Sequence, residues 1–91
     1  MSYSIEFSKV AIKGIAKLKK SEPQTFKKLV KLIEELKEHP KTGTGHPKPL
    51  GQDRSDEWSR KISDKHRLVY AIEEHRILVF ILTAYGHYDD K

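Results

Sequence analysis

Cysteine is absent from this chain, so neither a disulfide framework nor a thiolate metal site is open to it, and a reducing compartment suits its chemistry. Long apolar runs are absent too. The longest, Ile77 to Leu82, is far too short to cross a bilayer, which argues against a membrane partner. No basic segment followed by an apolar stretch opens the chain, so no signal peptide is expected and a cytoplasmic location is. Internal repeats and low-complexity tracts are also missing. What remains is 91 residues read as one small domain, 1–91, with 36% hydrophobic and 34% charged residues. The net charge is +5, and fourteen of the eighteen basic residues are lysine. That balance favours acidic partners such as nucleic acid or an acidic protein; its plainer meaning is a soluble, lysine-rich surface.

The pattern along the chain gives the order βααβββ. Tyr3, Ile5 and Phe7 alternate with polar residues, as in a half-buried strand. Ser8 can cap a helix running to about Lys20, with Ala11, Ile15 and Leu18 on one face and Ile12 beside them. Lys9, Lys13, Lys17 and Lys20 form a basic stripe on the other side, and Gly14 weakens the helix. Ser21-x-x-Gln24 reads as a capping box for a second helix, with Pro23 in its first turn and an end before Pro40. Phe26, Leu29, Val30, Ile33 and Leu36 supply its apolar face. Lys41 to Glu57 is a long loop without periodicity, stiffened by Pro47 and Pro49, and loops of that length are usually functional or disordered. Three strands follow: Trp58 to Ile62, His66 to Ile72, and Arg76 to Ala84, the last apolar on both faces like a central strand. The expected fold is α+β, a four-stranded antiparallel sheet with a helical hairpin on one face.

Alternation then assigns faces. Trp58 and Ile62 belong to the core with Arg60 on their side, so Ser59 and Lys61 point away. Leu68, Tyr70 and Ile72 share the core side with His66, while Arg67, Val69 and Ala71 share the open side. A three-residue turn at Ser63 to Lys65 sets Trp58 opposite Tyr70 and Lys61 opposite Arg67. Two facing cations repel, and a bound phosphate would relieve them; solvation on an open sheet face is the alternative.

The stretch "WSRKISDKHRLVY", Trp58 to Tyr70, resembles the W-S-R-R-I-x-x-x-H-R-L-V-Y pattern of the YoeB/Txe group of RelE-type bacterial toxins. "GTGHPKPL" resembles that group's G-x-G-K-P-E-x-L loop, and "GHY" near the end resembles its terminal His-Tyr. The resemblance implies a RelE-like fold whose sheet runs first strand, fourth, third, second. It also implies a ribosome-dependent mRNA endoribonuclease without metal or cofactor, held by a cognate YefM/Phd-like antitoxin and meeting operator DNA only through that complex. By the same resemblance Arg67, His87 and Tyr88 are catalytic, and Lys61 stands where the family usually has a second arginine. Two departures stand out. The chain continues past His-Tyr with Asp89-Asp90-Lys91, so a terminal carboxylate on that tyrosine cannot take part. Lys48 occupies the position of the family's glutamate, its proposed general base.

Metal-free RNA cleavage needs the 2′-hydroxyl deprotonated, the phosphorane charge stabilised and the 5′-oxygen protonated. Arg67 can clamp two phosphate oxygens with its planar fork, and Lys61 adds a point charge. His87 can act as acid or base near neutral pH, and Tyr88 can orient the phosphate or stack on a base; an aromatic packed on the sheet is its plainer reading. Lys48 has three readings: a lysine base, a phosphate ligand with proton removal left to another group, or the mark of a weakened toxin. RelE toxins themselves work with basic residues at the site, so the departure need not be fatal. Glu57 and Asp53 are substitute bases to consider. His46 and Ser59 complete the expected substrate-binding set. His39 and His75 read as helix-end and turn residues, and His66 reads as packing on the core side. A noncatalytic RelE/ParE-fold inhibitor of a protein target, or an inactive toxin retaining antitoxin binding, is the alternative function.

Overall fold

The computed structural model describes residues 2–51 and 56–86. Its strands are β1 (Ser4–Phe7), β2 (Lys48–Pro49), β3 (Glu57–Lys61), β4 (Arg67–Glu73) and β5 (Leu78–Thr83), with helices α1 (Lys9–Ser21) and α2 (Pro23–Leu36) between β1 and β2. They form one five-stranded sheet in the order β1-β5-β4-β3-β2. The order β1, last strand, middle strand, first hairpin strand is as expected, and β5 is central. The expectation of a four-stranded, wholly antiparallel sheet is corrected: β1 runs parallel to β5, and Lys48–Pro49 add an edge strand. Counting passes across the sheet gives the reason. If the chain reverses at each element, βααβββ leaves the first and last strands opposed. The short pass made by β2 inside the long loop changes that parity, and β5 returns in the direction of β1.

Ser8 does cap α1: its hydroxyl oxygen accepts the Ala11 N–H at 2.9 Å and donates to the Leu82 carbonyl at 2.6 Å. The capping box at Ser21 does not form. Ser21 remains in α1, and the break falls on Glu22, whose backbone leaves the helical region at φ −137°. Pro23 is the cause, because it disfavours helical geometry in the residue before it and suits the first position of α2. The Glu22 carboxylate, released from capping, turns to Thr25 and His66.

Ala11 and Leu18 of α1 join Leu29, Leu32 and Leu36 of α2 against Ile62, Leu68, Tyr70, Ile72, Val79 and Ile81. Two positions assigned to the apolar faces are instead exposed: Ile12 at 57% and Val30 at 42%. Leu32, not Val30, fills the α2 seam. Trp58 lies opposite Tyr70 and packs on this core, as the register requires.

Gly14 has a packing reason. A Cβ there would lie 2.7 Å from the Tyr85 Cβ, an atom bound directly to the backbone. Alanine should gain up to about 1 kcal/mol in helix propensity. Overpacking of this kind costs roughly 1–3 kcal/mol, so the clash wins. Gly14→Ala is therefore expected to lower the urea midpoint; a raised midpoint would mean that Tyr85 is not held against α1.

Candidate functional site

The start of the long loop is anchored by one buried side chain. Arg60 is 0% exposed and all five of its N–H donors have partners. Nε donates to the Tyr70 hydroxyl at 3.0 Å, Nη1 to Glu35 and to the Thr44 carbonyl, and Nη2 to the carbonyls of His39 and Thr42. The Tyr70 hydroxyl donates onward to the Pro40 carbonyl at 2.8 Å. Burial pushes the Glu35 carboxyl up, but the Thr44 N–H, the Thr44 hydroxyl and Arg60 together hold it below the usual carboxylate range. Burial raises the Tyr70 phenol despite the neighbouring guanidinium.

That anchor delivers the next stretch to the edge of β3. The Lys61 N–H donates to the Gly45 carbonyl at 2.7 Å, and the Leu50 N–H to the Glu57 carbonyl at 2.9 Å. Gly45 sits at φ +87°, and a Cβ would meet the Lys61 carbonyl at 2.8 Å, so only glycine allows this approach. His46 follows, exposed and left-handed at φ 54°.

On the face away from the helices, Lys61 pairs with Arg67 across β3 and β4, the register expected from the turn. Lys48 pairs with Ser59, two residues from Lys61 on the same strand face, so Lys48 stands about 7 Å along the sheet from the Lys61–Arg67 row. Lys48 is exposed, and Arg67 is half-buried with no hydrogen bond or ion pair to its guanidinium among the described residues. The turn partly answers the facing cations: Asp64 lies 3.0 Å from the Lys61 ammonium. Both side chains are well exposed, so that pair leaves Lys61 able to exchange partners.

Ser59 is only 2% exposed, so little of it faces solvent in this arrangement. Glu57 shares the open face but pairs with Ala71, four residues from Lys61, or roughly 13 Å along the strand. It is too distant to act on a phosphate held between Lys61 and Arg67. His87, Tyr88 and Asp53 lie outside the described residues. The chain is described as far as Gly86, whose carbonyl accepts the Arg67 N–H at 3.0 Å and whose N–H donates to His66 Nδ1 at 2.7 Å. Gly86 has φ +82°, the bend for which glycine is suited.

The structure thus gathers Lys48, Lys61 and Arg67 on one face, sets His46 at its edge, and fixes the backbone one residue before His87 against Arg67. Sequence reasoning missed the full extent of the Arg60 anchor and the bonds of His66. A basic residue on the core side of a strand was the available signal for the first.

Several known proteins are similar to this chain in sequence or in fold. Toxin YoeB of Escherichia coli K12 is 37% identical over 59 residues, covering 65% of this chain and 70% of that protein. A YoeB/ParE toxin structure from Agrobacterium tumefaciens superposes with a TM-score of 0.86 at 25% identity, covering 93% of this chain and 99% of that one. The toxin in a Staphylococcus aureus YoeB-YefM complex superposes at 0.80 and 25% identity, covering 97% and 100%. Residues 7–88 match the family described as the YoeB-like toxin of bacterial type II toxin-antitoxin systems. Both the core that carries the sheet and the basic face it presents fall within that span, and the chain belongs to the YoeB-like toxin family.

Proposed function

We propose that this chain is a ribosome-dependent mRNA endoribonuclease acting in the A site, without metal, in the cytoplasm. The observation that carries the reading is the Lys61–Arg67 row on the open sheet face, with Lys48 one step away. Arg67 clamps two oxygens of the scissile phosphate with its planar fork, and Lys61 adds a point charge beside it. The 2′-hydroxyl attacks phosphorus, the bond to the 5′-oxygen breaks, and a 2′,3′-cyclic phosphate and a 5′-hydroxyl result. His87 exchanges the proton and Tyr88 orients the phosphate or stacks on a base. His46 contacts the RNA at the loop edge, and Ser59 lies beside Lys48 in the same row of the sheet. A YefM-like antitoxin covers this face, and operator DNA is met only through that complex; the similar Staphylococcus aureus toxin forms a YoeB-YefM complex, which supports a partner of this kind. Primer extension on mRNA after induction tests the reading: translation-dependent cuts are expected, and their absence from a growth-arresting protein would favour a noncatalytic inhibitor of a protein target. Lys48 in place of the family's glutamate is the feature that favours this second reading.

Lys48 binds phosphate and is not the sole base. Its exposure and its position beside the cationic row support that role. Losing one charged hydrogen bond costs about 1.5–3 kcal/mol, so Lys48→Ala should slow cleavage roughly 10- to 10²-fold without erasing it. Complete loss with ribosome binding intact, together with loss of an alkaline rise in the pH profile, would assign Lys48 as the base. Lys48→Glu separates the same cases: cleavage should persist or rise if glutamate can serve, and fall steeply if the site was rebuilt around lysine.

A further inference from the structure

His66 is 3% exposed, yet it holds two parts of the chain that lie far apart in sequence. Its Nδ1 accepts the Gly86 N–H at 2.7 Å, and a nitrogen that accepts from an amide carries no proton of its own. The ring is therefore the neutral tautomer with its proton on Nε2, which donates to Glu22 Oε2 at 2.9 Å. This N–H is the foremost influence holding the Glu22 carboxyl below the usual range, so the acceptor stays anionic. The Ser63 hydroxyl receives the His66 N–H at 3.2 Å. The Tyr85 ring lies 4.6 Å from the imidazole, and the Lys17 ammonium sits 5.1 Å over that tyrosine.

The need for such a tie follows from the sheet. The ladder between β4 and β5 ends at Val69 and Thr83, next to a register shift. Beyond it, the backbone groups of Gly86 have two bonds among the described residues: one from the Arg67 N–H and one to His66. Arg67 and His66 are neighbours, so the imidazole and the amide of one dipeptide grip both sides of Gly86.

We propose that His66 is a positioning residue, whose bare Nδ1 holds the chain at Gly86 against Arg67 and so sets where it continues as His87-Tyr88. The inference rests on the proposed RNA cleavage. Glu22, at the junction of α1 and α2, acts through His66 by fixing the tautomer. Tyr85 limits ring rotation, and its own place against Gly14 keeps α1 in the same assembly.

Two substitutions separate positioning from packing. In His66→Asn the amide oxygen falls near the place of Nδ1, so the Gly86 bond survives and the Glu22 bond is lost. In His66→Gln the amide nitrogen falls near the place of Nε2, with the opposite outcome. His66→Gln should lower kcat on the order of 10²-fold with KM nearly unchanged, because the reacting groups are displaced while the binding surface remains. His66→Asn should keep most of the rate. Amide exchange at Gly86, read by NMR, should be slow in the wild type and His66→Asn and fast in His66→Gln. Ring nitrogen shifts of the wild type should show a bare Nδ1, a measurement that needs no variant to fold. Equal losses in both variants, a retained rate and slow Gly86 exchange in His66→Gln, or a protonated Nδ1 in the wild type would each overturn the proposal. A wild type that never cleaves, with the exchange pattern as stated, would sink the proposed activity and leave the positioning role standing.

Discussion

Arg67→Ala is expected to slow mRNA cleavage by roughly 10²–10³-fold and to release growth arrest while the protein stays folded. The rate loss follows from the planar fork, which meets two phosphate oxygens at once and strengthens as charge builds on the phosphorane. Removing one donor to such charge typically costs about 2.7–4 kcal/mol of barrier. The fold should survive because Arg67 contributes to structure through its backbone, whose N–H binds the Gly86 carbonyl, and alanine keeps that group. Its side chain has no hydrogen-bond partner among the described residues whose loss would strand a polar atom. Lysine should restore only part of the rate, since a point charge cannot span both oxygens. Primer extension and thermal unfolding on the same preparation check both halves. Wild-type cleavage by folded Arg67→Ala would remove Arg67 from the mechanism.

The register that makes Arg67 face Lys61 was legible in the sequence because its causes are local. Side chains alternate by two along a strand, and the turn at Ser63 to Lys65 fixes which residues meet. The Ser8 cap was legible for the same reason. The direction of β1 was not, because it depends on a two-residue strand whose Lys48 and Pro49 carry no alternation to detect. Glu22 as the break between helices was masked by an attractive capping pattern beside it, although Pro23 held the correct signal. His66 could be placed on the core side, but its partners Glu22 and Gly86 are 44 and 20 residues away, beyond any spacing rule. Three cationic positions of the site, Lys48, Lys61 and Arg67, came from motif and alternation. What holds them in place came from long-range bonds.

Arg60→Met should destabilise the protein by about 3–5 kcal/mol, the largest stability loss expected of a single substitution here. Domains of this size have roughly 5–15 kcal/mol in total. Each kcal/mol moves the melting temperature by about 4–8 °C, so a fall of at least some 12 °C is expected. An ordinary buried ion pair can often be replaced, together with its partner, by apolar residues at little cost. This one cannot, because three of the five acceptors are the backbone carbonyls of His39, Thr42 and Thr44, which no substitution removes. Arg60→Met with Glu35→Leu should therefore recover little. Arg60→Lys should also fail, since three donors on one nitrogen cannot reach five acceptors spread around a plane. Acid acts on the same centre. Glu35 titrates below its ordinary value in the folded state, so its contribution is full above the unfolded value of about 4.3 and is lost as pH falls through the lower folded value. Urea unfolding of the single and double variants measures the coupling. Full recovery in the double variant would mean that the carbonyls find other donors and that Arg60 matters only through Glu35. Cleavage should fall with stability in Arg60→Met, because the residues that lead the loop to Gly45 and Lys48 lose their anchor.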